Sequence, residues 1–342
     1  MHKIQKPYLL FLGDANREYG AKTAQGVLHW VPDQCVGQFR LPGCEIDLGI
    51  ADMDFEEAYA AGGRTVLLGV ANRGGVLPDH WVPHLIKAVK AGFDVAAGLH
   101  VRLNDLTCLK AAADKQGRTL HDVRHWSGGP MPLGTGRKRS GHRALIVGTD
   151  CAVGKKFTAL AVHQALVEKG VDATFRPTGQ TGALISGYGC ALDTIPGDFI
   201  SGVAEALSPD NDPDHWDVIE GQATVLHPTF AAVTIGLVHG SQPDAMIVSH
   251  DLGRTEMRGL PGRVLPTLLD TIDAHERAAR VNNPKARCVA ISVNTSAVDE
   301  DAAQTALAEI EQMTGLPSTD PIRFGADILA KAILDTMEPH NE

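Results

Sequence analysis

"LIVGTDCAVGKKFTALAVHQALVEKG", residues 145–170, runs from a short apolar stretch through a turn of small residues into a segment with apolar positions three and four apart. That order is strand, turn, helix. The wording nearly matches the phosphate-binding loop G-x-x-x-x-G-K-[ST], whose N–H groups and lysine hold phosphate at a helix N-terminus. Two positions depart from it. Thr149 stands where the first glycine belongs, and Lys156 takes the place of the Ser or Thr whose hydroxyl holds magnesium in nucleotide hydrolases. An ammonium cannot ligate a metal, but it neutralises phosphate directly. The loop Thr149, Asp150, Cys151, Ala152, Val153, Gly154, Lys155 and Lys156, with Thr158 as a more distant hydroxyl, is therefore expected to bind a ligand carrying several phosphate charges and no metal.

Around this loop the second half of the chain alternates strand and helix. "RALIVG", "VDATFRP", "WDVIEG", "AVTIGLVHG", "PDAMIVSHD" and "RCVAISVNT" read as strands, and helices are expected over 156–169, 199–207, 265–281 and 299–314 and in "GADILAKAILDTM". The first half has the same texture: "YLLFLGDA", "EIDLGIADM", "TVLLGVAN" and "FDVAAGLHV" read as buried parallel strands, with helices in "HWVPHLIKAVKAG" and "DLTCLKAAADKQG". Between them "WSGGPMPLGTGRKRSGHR" is crowded with Gly, Pro and basic residues, so a boundary is placed at 136/137. Arg137, Lys138 and Arg139 read there as a solvated linker, with room for a role in binding anions. The fold class is α/β, two domains in series, residues 1–136 and 137–342.

With 342 residues, 44% apolar and 21% charged, the chain is long enough for two ordinary cores. Its net charge of −10 argues against nucleic acid and anionic membranes as partners, so any bound anion must meet a local cationic patch. The six cysteines form no C-x-x-C pair, and no signal peptide or membrane-length run is visible, so a cytoplasmic location is expected. A homo-oligomer is the expectation from frequency alone. The first domain lacks G-x-G-x-x-G, so no dinucleotide is expected there, and Lys22 and Thr23 read as a plain helix start.

"GTDCAVGK" and the later "VIEGQATVLHP" resemble the loop and the acidic strand end of dethiobiotin synthetase and its relatives, which use ATP. Read together, "GDANREYGAKTAQGV", "GTDCAVGKKFTAL", "TFRPTGQTGALISGYG" and "DHWDVIEGQATVLHPTF…LVHGSQPDAMIVSHDLGRTEMRGLPG" more closely resemble the family of two-domain proteins that includes D-glutamate N-acetyltransferases. That resemblance implies a Rossmann-like N-terminal domain, a C-terminal P-loop domain and acetyl transfer from acetyl-coenzyme A to an amino acid nitrogen. A magnesium-ATP kinase or ligase is the alternative. Coenzyme A, with a diphosphate and a 3′-phosphate, is an anion a lysine pair can hold without metal.

Acetylating an amino acid requires a proton acceptor for its ammonium, a donor for the developing oxyanion and a cation for each carboxylate. Such groups are sought where strands end. Glu220 is the expected base or ammonium anchor; His227, His239 and His250 each qualify as a base, with His239 chosen beside Glu220. Arg176, just past a strand, and Arg254 and Arg258, four apart and on one face if their segment is helical, are the expected carboxylate ligands. Cys151 raises a ping-pong route through an acetyl-cysteine, which is set aside because the loop's task is to bury phosphate.

Overall fold

The computed structural model describes residues 3–16, 20–70 and 75–337. The chain forms two compact units, one comprising residues up to Gly129 together with Gly179–Thr194, the other Pro130–Thr178 together with the residues from Ile195 onward. It passes between them three times, whereas the sequence reading has one passage, at 136/137.

In the first unit β1 (Tyr8–Gly13), α1 (Lys22–Trp30), β2 (Cys35–Arg40), α2 (Phe55–Ala60), β3 (Thr65–Leu68), α3 (Val82–Lys90), β4 (Asp94–Ala97), α4 (Thr107–Gln116) and β5 (Leu120–Asp122) follow one another. All pairings are parallel, in the order β2-β1-β3-β4-β5. Strands β1, β3 and β4 are buried along their whole length, as central strands of a covered parallel sheet must be. The expected strand at 45–53 is instead a loop. The strand is β2, whose polarity hid it: Gln38 is fully buried, and its side-chain amide donates to Asp47 and the Ile50 carbonyl while its oxygen accepts from Leu48 N–H, pinning that loop. The last two residues of "TVLLGVAN" lie outside the described residues.

The second unit begins with β6 (His142–Gly148), α5 (Lys155–Glu168) and β7 (Ala173–Arg176). Next comes α6 (Gln180–Ser186), which belongs to the first unit and packs on α1. There the Tyr8 hydroxyl donates to the Leu184 carbonyl, Lys6 donates to the Ile185 carbonyl, and Arg124 pairs with Asp193. The second unit resumes with α7 (Ile200–Leu207), β8 (Trp216–Ile219), α8 (Ala231–Ser241), β9 (Ala245–Asp251), α9 (Leu268–Arg280), β10 (Arg287–Asn294), α10 (Glu300–Thr314), β11 (Ser318–Thr319) and α11 (Asp327–Leu334). Its parallel sheet has the order β11-β10-β9-β6-β8-β7.

The strand expected at "AVTIGLVHG" is the helix α8. An apolar run of this length does not distinguish the two by periodicity, and its Val, Thr and Ile favoured the wrong choice. What makes it a helix is close packing on α7: a Cβ on Gly240 would lie 2.2 Å from the Ser201 carbonyl oxygen, so these two helices touch backbone to backbone. Of the linker cations, Arg137 and Lys138 are exposed, as a solvated linker requires, and only Arg139 is buried. Arg137 pairs with Asp210, Lys138 lies 3.8 Å from Asp244, and buried Arg139 donates to the Gly240 and Ser241 carbonyls at the end of α8.

The chain leaves β8 on one side of β6 and enters β9 on the other, so the C-terminal end of β6 is the point where strand order reverses. Crevices of open α/β sheets form at such points.

Candidate functional site

The loop after β6 occupies that point. Ala152 has φ of 53° and Gly154 has φ of 113°, so the chain curls with left-handed residues and turns its N–H groups to one side. The N-cap of α5 is Gly154, which has no side chain to cap the first turn, and such a helix start offers its N–H groups to a ligand's oxygens. Val153 is a buried plug, within 3.0 Å of where a Gly148 Cβ would stand. Thr149 is fully buried; its N–H donates to the Ser249 carbonyl, and its hydroxyl lies 3.2 Å from His250 Nδ1. The Thr158 hydroxyl meets the Gly154 carbonyl at 3.3 Å, Ser249 Oγ at 3.2 Å and Ser292 Oγ at 2.7 Å, so its hydrogen bonds are made within the protein.

Asp150 ties the loop down. Fully buried, it accepts through Oδ2 from Arg254 Nη1 at 3.2 Å and from Arg258 N–H at 2.7 Å. Arg254 also donates to the carbonyls of Cys151 and Ala152 and to Asp251. Its guanidinium is spent on clamping the loop, which corrects the expectation that it holds a substrate carboxylate. The segment carrying Arg254 and Arg258 is a set of turns, not a helix, so the two do not share a helical face. Arg258, held to Asp150 through its N–H, keeps an exposed side chain and remains suited to a carboxylate.

Asp150 Oδ1 faces His227 Nε2 at 3.6 Å, both atoms buried and without a hydrogen-bond partner among the described residues. His227 Nδ1 accepts from the N–H groups of Thr229 and Phe230, both at 3.1 Å, at the start of α8. A ring nitrogen that accepts two N–H bonds carries no proton, so the ring's proton lies on Nε2, directed at Asp150. Asp150, Cys151 and His227 bring donor atoms within 4.8 Å of one another, the spacing of a metal site. His227 thus presents its Nε2–H toward Asp150 Oδ1 across 3.6 Å, longer than a hydrogen bond.

Lys155 is buried and donates to the Asp150 carbonyl at 2.5 Å; burial lowers its pKa to about 8. Burial likewise lowers Lys156, opposed by the Glu220 carboxylate, and its ammonium lies 5.1 Å from the Phe157 ring. Glu220, just past β8, is buried and accepts from Thr178 N–H at 3.1 Å, while its carbonyl accepts from the Thr178 hydroxyl at 2.6 Å. It therefore sits within the field of both lysines, the place of an ion-pairing anchor. The Cys151 thiol is pushed up by burial and stays protonated at neutral pH, which makes it a poor nucleophile.

Two expected residues lie away from the loop. Arg176 reaches back along the sheet to fully buried Asp217 in a 2.6 Å ion pair, shared with Ser208, Asn211 and His215. His239 stands near the C-terminal end of α8, six residues before β9 begins, and Ala245 pairs with Ala144 near the start of β6. That is the opposite edge of the sheet from the loop, so His239 is withdrawn as a base.

A cavity of about 480 Å³ adjoins the first turn of α5, bounded by Gly154 and Phe157, by the end of β10 with Asn294 and Ser296, and by Pro321, Ile322 and Arg323. The sequence reading missed it. Its one available signal was that "RCVAISVNT" ends at the same sheet edge as the loop.

The DUF1611 family, described as a C-terminal P-loop domain of unknown function, matches residues 132–330, and its DUF1611_N partner, a Rossmann-like domain, matches residues 40–126. A protein from Tritonibacter scottomollicae named D-glutamate N-acetyltransferase is 49% identical over 330 residues, covering 96% of this chain and 99% of that protein. One of the same name from a Pseudoalteromonas species is 44% identical, covering 95% and 98%. The crystal structure of a DUF1611 family protein from Anabaena variabilis, 30% identical, covers 97% of this chain and 100% of its own, with a TM-score of 0.81.

Proposed function

The chain belongs to the DUF1611 family, Rossmann-like domain and P-loop domain together, and from that premise we propose that it is an N-acetyltransferase that moves the acetyl group of acetyl-coenzyme A to the amino group of D-glutamate. The observation that carries this reading is the match, over nearly the whole length of both proteins, to a relative named for that reaction. The geometry supports it. The curled loop and the uncapped start of α5 suit the diphosphate, and Lys155 and Lys156 supply the countercharge. The cavity beside Phe157 and Asn294 adjoins the loop and suits the flat base of the same molecule. Arg258 is the cation proposed for an acceptor carboxylate. Transfer is direct, since the Cys151 thiol is protonated.

Mixing the protein with acetyl-coenzyme A and a panel of D- and L-amino acids tests this, with thiol release as the readout. Release with D-glutamate and not with L-glutamate is expected; release with neither removes the reading.

The donor site makes a separate prediction. Lys156 stands where a metal-binding hydroxyl would, and the Thr158 hydroxyl is bonded elsewhere, so coenzyme A binding is expected to survive a chelator. Lys156→Thr restores the usual motif while deleting one charge, and should lose about 1.5–3 kcal/mol of coenzyme A affinity. Calorimetry with and without magnesium checks it; an affinity that magnesium restores in the variant would favour ATP as the ligand. Affinity also depends on pH through Lys155. Its ammonium is charged below about 8 and is lost above that value. Binding of the anion should therefore be full at neutral pH and weaken as pH rises through about 8, by at most about tenfold per unit.

A further inference from the structure

The three histidines weighed for the acceptor's proton are sorted by their hydrogen bonds. His227 is locked with its proton on Nε2, and His239 is at the wrong edge. His250 differs from both. It lies near the end of β9, one residue beyond Ser249, whose carbonyl accepts the loop's Thr149 N–H. Its Nδ1 is 3.2 Å from the Thr149 hydroxyl, and Nε2 has no hydrogen-bond partner among the described residues. A hydroxyl both donates and accepts. The proton can therefore sit on Nδ1, donated to Thr149, which leaves a lone pair on Nε2 beside the loop.

We propose that His250 is the general base that takes the proton from the acceptor's ammonium, with Thr149 as the residue that fixes its tautomer. This assignment rests on the acetyl-transfer reading. Nε2 accepts one proton from the ammonium; the freed nitrogen lone pair forms the C–N bond at the thioester carbonyl as the C–S bond breaks. The nitrogen loses a second proton on becoming an amide. Of the two protons released, one ends on the departing sulfur and the other passes to solvent.

The surroundings agree with this role. Burial lowers the pKa of His250, Asp251 opposes that and Arg254 adds to it. The loop contributes the neutral Thr149 hydroxyl, and β10 places Val293 opposite, without charge. A lowered value leaves the ring unprotonated at neutral pH, so activity should hold as pH falls and drop only below the ordinary imidazole value of about 6.5.

The test compares the parent with His250→Gln and His250→Ala over a range of pH. Turnover should fall by at least about 100-fold in both variants, with coenzyme A affinity within about twofold of the parent and the acid limb of kcat gone. Added imidazole should restore part of the activity of His250→Ala. A variant that keeps the parent's kcat and acid limb overturns the assignment while leaving acetyl transfer standing. A parent that releases no thiol with either enantiomer of glutamate overturns the acetyl-transfer reading and this assignment together. Should the variants not fold, nitrogen-15 NMR of the parent's imidazoles decides the matter: an unprotonated Nε2 near neutral pH supports the proposal, and an Nε2–H tautomer there overturns it.

Discussion

Gly221→Ala is expected to cost about 3 kcal/mol or more of stability, beyond the usual range for one added methyl, because the obstacle is main chain. A Cβ at this position would stand 1.5 Å from the Ile146 carbonyl oxygen and 3.1 Å from Lys155 Cδ. Strand β6 cannot retreat, since it is paired with β8 on one side and β9 on the other. The end of β8 would have to lift instead, carrying Glu220 away from Thr178 and pushing the buried lysine. Urea unfolding checks the stability loss, and coenzyme A titration of the folded fraction checks the loop. A midpoint equal to the parent's would mean that the two strands do not approach this closely.

Arg176→Ala is expected to destabilise by about 3 kcal/mol, the low end for breaking a buried ion pair, because Asp217 keeps Ser208, Asn211 and His215. The damage lies in the buried charge left behind, so Asp217→Asn in the same chain, which removes the charge and keeps an acceptor oxygen, should recover part of it. The folded fraction should show a near-normal KM for the acceptor. A variant of normal stability with a raised KM would return Arg176 to the substrate site.

The sequence carried what depends on local pattern. The β6 strand, its turn and α5 were legible because apolar spacing, Gly154 and Lys155 all fall within one short segment. Glu220 was legible as a carboxylate just past a strand. Other features depend on where a side chain turns, and no spacing reports that. Arg176 and His239 both follow apolar runs, yet one folds back to Asp217 and the other ends a helix rather than a strand. His250 was passed over for His239 until hydrogen-bond partners separated the three histidines. Strand β2 escaped notice because its central residue, Gln38, is polar and buried, satisfied by a loop ten residues further on. The return of residues 179–194 left no trace in the sequence, since a short helix reads the same whichever sheet it covers.

That return sets a timetable for synthesis. When residue 129 has been added, the first sheet exists in full, but the carbonyls that receive the Tyr8 hydroxyl and the Lys6 ammonium do not, nor does the helix that covers α1. They arrive only after the loop strand and its helix have been made. At ~5–20 residues per second the wait to residue 194 is about 3–13 s. For that interval the nascent chain leaves the α6-contacting side of α1 and the Tyr8 and Lys6 donors uncovered. The yield of soluble protein should therefore respond to translation speed across 130–194 and to chaperone supply more than to the stability of either finished unit.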